Sequence, residues 1–303
     1  MPKFKTYLAI SIAMLIWSFS FIWTRMAIDS FLPVTLVTMR LVLASVLLFV
    51  FAKFARNFQP VRRQDLKWFM LLAFFEPFMY YMGETYGLTM VDSTLASVII
   101  STIPLFAPLL AYALLREKVS WANIAGIFVS FSGVFLVIYE PAGGFSANPW
   151  GVVLMFLAVF SAICYTTTIR QISTHYSTTN VVLYQSLFGL IYYIPTFFIV
   201  DFHRFTLSSI TQQGITALIM LSVFASVVAF VLFAGVVRKI GVAKTNVFVN
   251  LIPVFTAVLA WWILDENLNI LKITGIAITV VGLFVSQLGK FKFKIKLLRG
   301  TEY

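Results

Sequence analysis

Two glutamates stand in the middle of a chain that is otherwise strongly apolar, and their spacing gives them a common face. Between Trp68 and Leu88 the small or polar residues Ala73, Glu76, Tyr80, Gly83, Glu84 and Gly87 recur at three- and four-residue spacing. Three- and four-residue steps of this kind line up on one side of a helix. Counted from Trp68 at about 1.5 Å per residue, Glu76 lies about 12 Å along such a helix, near the middle of a ~30 Å hydrocarbon layer, with Glu84 towards its far side. A carboxylate in low dielectric tends to hold its proton unless a cation or hydrogen-bond donors stabilise the charge. Glu76 could thus bind and release a proton in alternate states, with Glu84 as an outer relay. It could instead hold a cationic substrate group, or pair structurally with Arg40 or Arg25. Pro77 follows directly and should loosen the helix there, leaving backbone acceptors open.

A second set of polar groups comes in matched copies. Ser97, Ser101 and Pro104 align at an offset of 149 with Asn246, Asn250 and Pro253, each set along one helical face. The hydroxyls and amides could hydrogen-bond a substrate, and the prolines free carbonyls and permit bending during gating. The competing reading is hydrogen bonding between helices. Arg40 sits about two turns into its apolar segment, and its counterpart near an offset of 145 is Gln185. Arg40 could contact a substrate carboxylate or form a salt bridge with Glu84 or Glu76, whereas Arg25, near a segment end, suits snorkelling. Trp17, Tyr80, Tyr165 and Tyr184 could wall an amphipathic or cationic ligand, or simply pack. No metal site is expected: His175 and His203 are far from any second histidine or cysteine, and Cys164 is the only cysteine. No cofactor motif is found.

These residues need a membrane to position them. Apolar residues make up 61% of the 303 and charged ones 11%. Ten segments reach the ~20 apolar residues a spanning helix needs: roughly 7–28, 34–54, 68–88, 93–115, 121–139, 149–170, 179–200, 213–237, 244–264 and 270–288. The polar alternation of a membrane barrel is missing. The net charge of +11 reflects topology rather than a nucleic-acid partner. With the N-terminus in the cytoplasm, all but Arg25, Arg40, Arg204 and Lys272 fall in cytoplasmic tails and loops. Lys290 to Lys296 then form a basic tail for anionic headgroups.

The segment from Ala96 to Ile138 returns from Thr245 to Gln287, with thirteen of forty-three aligned pairs identical. Such a repeat is a mark of carriers built from two related halves. Five spans per half is an odd number, so the second half enters the bilayer upside down. The expected organisation is a first repeat over 1–140, an inverted repeat over 141–289 and the tail 290–303, with the Gly/Pro-rich stretch 140–149 on the extracytoplasmic side. Gly126 with Gly133, and Gly275 with Gly282, permit close helix approach. Glu117 and Glu266 occupy matching turns, with Ser120 and Asn269 as N-caps of the helices that follow.

The opening Trp17-Ser-Phe-Ser-Phe with Arg25, Pro33 and Arg40 resembles the EamA family of the drug/metabolite transporter superfamily. So do Ser93-Thr-Leu-Ala-Ser-Val-Ile-Ile-Ser-Thr-Ile-Pro-Leu-Phe, Leu-Arg-Glu117, Gly126 and Gly133. The resemblance covers nearly the whole chain, twice. It implies small-molecule transport, often export, and a bacterial inner membrane. It also places the fifth and tenth spans away from the central cavity, where they brace the fold or mediate a dimer.

The expectation is therefore an all-α integral membrane protein of ten transmembrane helices in two inverted five-helix repeats. It would act as a carrier for a small-molecule substrate, as monomer or homodimer in the lipid bilayer. The candidate binding residues are Trp17, Arg40, Glu76, Tyr80, Ser97, Ser101, Tyr165, Gln185, Asn246 and Asn250. Glu76 and Glu84 are candidates for proton coupling, and Pro104 and Pro253 for gating. An open channel is the rival use of the same stripes. An intramembrane enzyme would need a nucleophile–base set or a metal cluster at membrane depth, and the sequence has neither.

Overall fold

A computed structural model describes residues 2–106, 120–140, 144–145, 147–169, 172, 175–206 and 209–299. Long runs of Leu, Ile, Val and Phe become helices because a helix satisfies its backbone groups internally, which hydrocarbon demands. In chain order these are α1 (Pro2–Ile28), α2 (Pro33–Phe54), α3 (Leu66–Ala73), α4 (Tyr80–Leu88), α5 (Ser93–Ile100), α6 (Trp121–Ile138) and α7 (Pro149–Thr168). They continue with α8 (Thr178–Val200), α9 (Gln212–Met220), α10 (Phe230–Ile240), α11 (Val242–Val249), α12 (Ile252–Ile263) and α13 (Ile270–Arg299). Two π-helical turns join helices end to end: Phe74–Met79 between α3 and α4, and Leu221–Ala229 between α9 and α10.

Among the described residues, six helical stretches are long and apolar enough to cross a membrane. They are Phe4–Ile28, Pro33–Phe54, Trp121–Ile138, Pro149–Thr166, Thr178–Val200 and Gln212–Ile240. The other four expected spans are interrupted or shorter. The α3–α4 rod leaves helical geometry at Glu76 (φ −142°, ψ 116°), as Pro77 predicts. Ser93–Phe106 ends where description stops, so 107–115 and Glu117 lie outside the described residues. The α11–α12 rod breaks at Asn250–Leu251. The apolar part of α13 is Ile270–Ser286, and the helix continues through the basic tail to Arg299. One short departure from helix is an antiparallel ladder, β1 (Tyr139–Glu140) on β2 (Gly144–Phe145), in the Gly/Pro-rich linker.

The principal contacts join the part of the chain before residue 140 to the part after 148. α6 packs along α13, α2 along α8, and α4 along α7, while α1 packs on α9, α10 and the π turn between them. Backbones approach closely where α6 meets α13. A Cβ at Gly126 would lie 2.6 Å from the carbonyl oxygen of Gly282, and one at Gly133 2.5 Å from that of Gly275. Asn123 Nδ2 and Ser130 Oγ add hydrogen bonds to the carbonyls of Ser286 (2.9 Å) and Thr279 (3.1 Å). Both glycine faces are thus spent on bracing within the chain.

Carboxylates and amides fasten the ends of the bundle. At the end carrying the linker, Asp201 accepts from the Thr35 backbone N–H (2.7 Å) and hydroxyl (2.9 Å) at the start of α2. Glu266 does more than hold its own turn. It crosses to cap α5, accepting from Ser93 N (2.7 Å), Thr94 N (3.1 Å) and Thr94 Oγ1 (2.7 Å), and beside it Lys272 pairs with Asp92 at 2.7 Å. At the opposite end, Asn180 at the start of α8 donates to the Asn57 carbonyl (2.6 Å) and accepts from Gln59 N (3.1 Å). Ser120 and Asn269 cap their helices as expected, accepting from Asn123 N and Lys272 N.

Candidate functional site

The kink in the α3–α4 rod builds the centre of the molecule. With helical hydrogen bonding lost at Glu76, carbonyls of this stretch need other donors, because a buried acceptor without a partner is costly. Ser161 Oγ on α7 donates to Phe75 O (2.6 Å), and Tyr193 on α8 donates to Phe78 O (3.1 Å). The Pro77 ring lies against Gly189 of α8, where a Cβ would come within 2.5 Å of it. Held this way, the rod turns Glu76, Tyr80 and Glu84 into an internal cavity, while Gly83 and Gly87 face α7. The expected single stripe therefore divides its work: the ionisable part faces the cavity and the small part packs.

The cavity measures about 130 Å³. Trp17, Ser20 and Phe21 of α1, Arg40 of α2, Glu76, Tyr80, Tyr81 and Glu84 form one side. Ile103, Pro104, Tyr165, Phe230, Phe233 and Ile252 form much of the rest. Trp17 is set by ring contacts to Phe230 (5.2 Å) and Phe233 (4.9 Å). Tyr80 donates to Glu84 Oε1 at 3.1 Å, whereas Glu76 has no hydrogen-bond partner among the described residues. Glu76 and Glu84 are 7% and 5% exposed, so bulk water offers them little solvation.

Arg40 corrects one expectation. Among the described residues it forms no ion pair with Glu76 or Glu84. Its Nε donates to Ser226 Oγ at 2.6 Å, and its guanidinium lies 4.2 Å from the centroid of the Tyr81 ring. A hydroxyl and an aromatic face hold the cation without neutralising it, so the guanidinium and the two carboxyl groups line the same cavity with no ion pair between them among the described residues. Arg25 departs from snorkelling too: it donates to Leu88 O (2.8 Å) and lines a separate polar cavity of about 560 Å³ with Asp29, Asp92 and Glu266.

The other candidates sit behind the wall or away from it. Ser97 and Ser101 are fully buried and donate to Thr94 O and Val98 O of their own helix, so Ile100, Ile103 and Pro104 form the wall there. The cause is local: a serine in a helix closes onto the carbonyl a turn back before it reaches across a cavity. Gln185 is one layer out, accepting from Tyr165 OH at 3.1 Å. Tyr184 donates to Gln59 O at the bundle end and takes no part in the wall. Asn250 is 1% exposed, and neither its amide nitrogen nor its oxygen has a partner among the described residues; its neighbours Val249 and Ile252 line the cavity. Pro253 is buried in the first turn of α12. The Asn246 side chain lies outside the described residues. Sequence reasoning missed Tyr81 and Ser226. Tyr81 lies one position off the stripe, and Ser226 sits in a π turn whose register ordinary helical spacing does not foresee.

An all-helical membrane bundle folded around a small cavity lined by buried ionisable groups, with no ion pair between them among the described residues, defines the class of protein. The chain belongs to the EamA-like transporter family, whose model matches residues 4–139 and again 149–288. It is similar to an uncharacterized transporter of Archaeoglobus fulgidus, 27% identical over 93% of this chain and 97% of the relative. The uncharacterized transporter YetK of Bacillus subtilis is 26% identical over 94% of this chain and 87% of its own length. A protein of Streptantibioticus cattleyicolor named "Probable terminal-alkyne amino-acid exporter" is 26% identical over 93% of both chains. A solved crystal structure shares the fold with TM-score 0.67 and 18% identity, over 94% of this chain and 96% of its own.

Proposed function

We propose that the protein is a secondary transporter that exports small amphipathic molecules by alternating access between halves 1–140 and 141–289. The cavity wall carries this reading: one guanidinium and two carboxylates, none ion-paired to another, face an otherwise aromatic and aliphatic space. That combination fits a compact zwitterion, its carboxylate on Arg40, its ammonium on Glu84 or Glu76, and its apolar body against Trp17, Phe230 and Phe233. Buried polar groups of this kind reject ligands that leave them unpaired. The name of the relative from Streptantibioticus cattleyicolor, "Probable terminal-alkyne amino-acid exporter", agrees with this chemistry.

Two pairs of equivalent irregularities support the inverted halves. The third span of each half contains a π turn, Phe74–Met79 and Leu221–Ala229. The fourth breaks at Ser101 and again at Asn250, both at φ −62°, ψ −14°, three residues before Pro104 and Pro253. These breaks are where the fourth spans can bend as gates. Glu76, without a protein partner, carries the coupling proton, and Glu84 relays it outward. Residues of a single chain line the cavity. The charge distribution supports both termini facing the cytoplasm, and the family supports a bacterial inner membrane as the site.

The test compares external metabolites of cells expressing wild type, Glu76→Gln, Asn250→Ala or an empty vector. A small zwitterion accumulating outside only with wild type is the expected result. Equal profiles from all four would overturn the export reading.

A further inference from the structure

Ser226 stands behind Arg40, which lines the cavity, and bears on how the guanidinium is presented. A guanidinium offers two forked edges to a carboxylate, one using Nε with a terminal nitrogen and one using both terminal nitrogens. Here the Nε is occupied by Ser226 Oγ at 2.6 Å, and one planar face is covered by the Tyr81 ring at 4.2 Å. The terminal nitrogens have no hydrogen-bond partner among the described residues, and Arg40 lines the cavity although the residue is only 4% exposed.

Ser226 can do this because of where it sits. It belongs to the π turn Leu221–Ala229, which packs against α2, and is itself 4% exposed. Ser222, one turn earlier in the same segment, spends its hydroxyl on Leu218 O at 2.7 Å, the ordinary fate of a helical serine. Ser226 instead directs its oxygen at a cation 186 positions away in the chain.

We propose that Ser226 is a specificity-determining positioning residue: it holds Arg40 so that only the edge made by both terminal nitrogens faces the cavity, which selects a carboxylate-bearing substrate over its neutral amide. This rests on the reading of Arg40 as the group that takes the substrate carboxylate. Loss of the hydroxyl lets the guanidinium rotate and leaves its Nε unpaired, so the penalty falls on ligands that use the fork and spares those that do not.

The test uses the purified full-length chain with two probe pairs, L-phenylalanine with L-phenylalaninamide and L-leucine with L-leucinamide. Dissociation constants are measured for wild type, Ser226→Ala and Ser226→Thr. The readout is the acid-to-amide affinity ratio within each protein, which a general loss of folded protein does not change. Wild type should prefer the acids, Ser226→Ala should lower the ratio about tenfold with amide binding unchanged, and Ser226→Thr, which keeps the hydroxyl, should restore it. A wild-type preference that survives in Ser226→Ala overturns the role of Ser226 and leaves the reading of Arg40 standing. No wild-type preference in either pair overturns the carboxylate reading and this proposal with it.

Discussion

Glu76 is the residue on which coupling turns, because it faces the cavity with no described partner while Glu84 has Tyr80. Replacing it by Gln keeps the shape and removes the ionisable group. With the substrate ammonium held by Glu84, Glu76→Gln in proteoliposomes should keep substrate exchange within about threefold of wild type but lose accumulation driven by an imposed pH gradient, since exchange needs only binding and reorientation. A gradient response that persists in this variant rules Glu76 out as the proton carrier. Asn250 invites the opposite kind of change. Its amide is buried with both polar atoms unpaired among the described residues, and that costs about 1–3 kcal/mol unless a ligand or another conformation supplies partners. Asn250→Val should raise the melting temperature of the detergent-purified protein and reduce transport at least tenfold; a lower melting temperature would mean that the amide is already satisfied. Much of the site was legible at this scale. Trp17, Arg40, Glu76, Tyr80, Glu84, Tyr165 and Pro104 all reach the cavity wall because charge and bulk in an apolar helix have few other places to go. Ser97 and Ser101 were misjudged because a periodic pattern fixes the face of a helix and says nothing about a hydroxyl that folds back on its own carbonyl.

Among the elements, the α6–α13 pair is the tightest contact, and its geometry leaves no room for growth at the glycines. Gly133→Val would drive a side chain into the Gly275 carbonyl, 2.5 Å from where its Cβ must lie. Overpacking against backbone costs about 1–3 kcal/mol or more, so the variant should unfold at a lower temperature and accumulate poorly. Unchanged stability would mean that the two helices separate readily. The glycine spacing predicted close approach but left its partner open, since bracing and dimerisation ask for the same small residues. The kinked third span shows the same limit. Pro77 announced a break, yet only the tertiary structure shows that Ser161, Tyr193 and the bare surface at Gly189 stabilise it. Cross-chain donors of this kind carry no local sequence pattern. Likewise Glu266 read as a turn residue because its reach to Ser93 and Thr94 spans more than 170 positions.

Across the whole molecule, the ends of α2 and α8 are fastened in matching fashion, Thr35 by Asp201 at one end and Asn180 by Asn57 and Gln59 at the other. If halves rock against each other, this fastened pair is a natural axis. A cysteine pair cross-linking α2 to α8 near mid-length should leave transport within about twofold of wild type, while one joining α4 to α10 across the cavity should abolish it. Equal inhibition by both would exclude α2 and α8 as a fixed element. The interleaving of early and late helices also bears on how the chain is made. α1, α2, α4 and α6 find their main neighbours only among helices that begin at residue 149 or later. At roughly 5–20 residues per second, the early helices wait on the order of ten to thirty seconds in the bilayer with the ionisable face of α3–α4 uncovered. Survival of the newborn protein therefore depends on whatever shelters that face, and a ribosome stalled midway leaves a fragment marked for degradation.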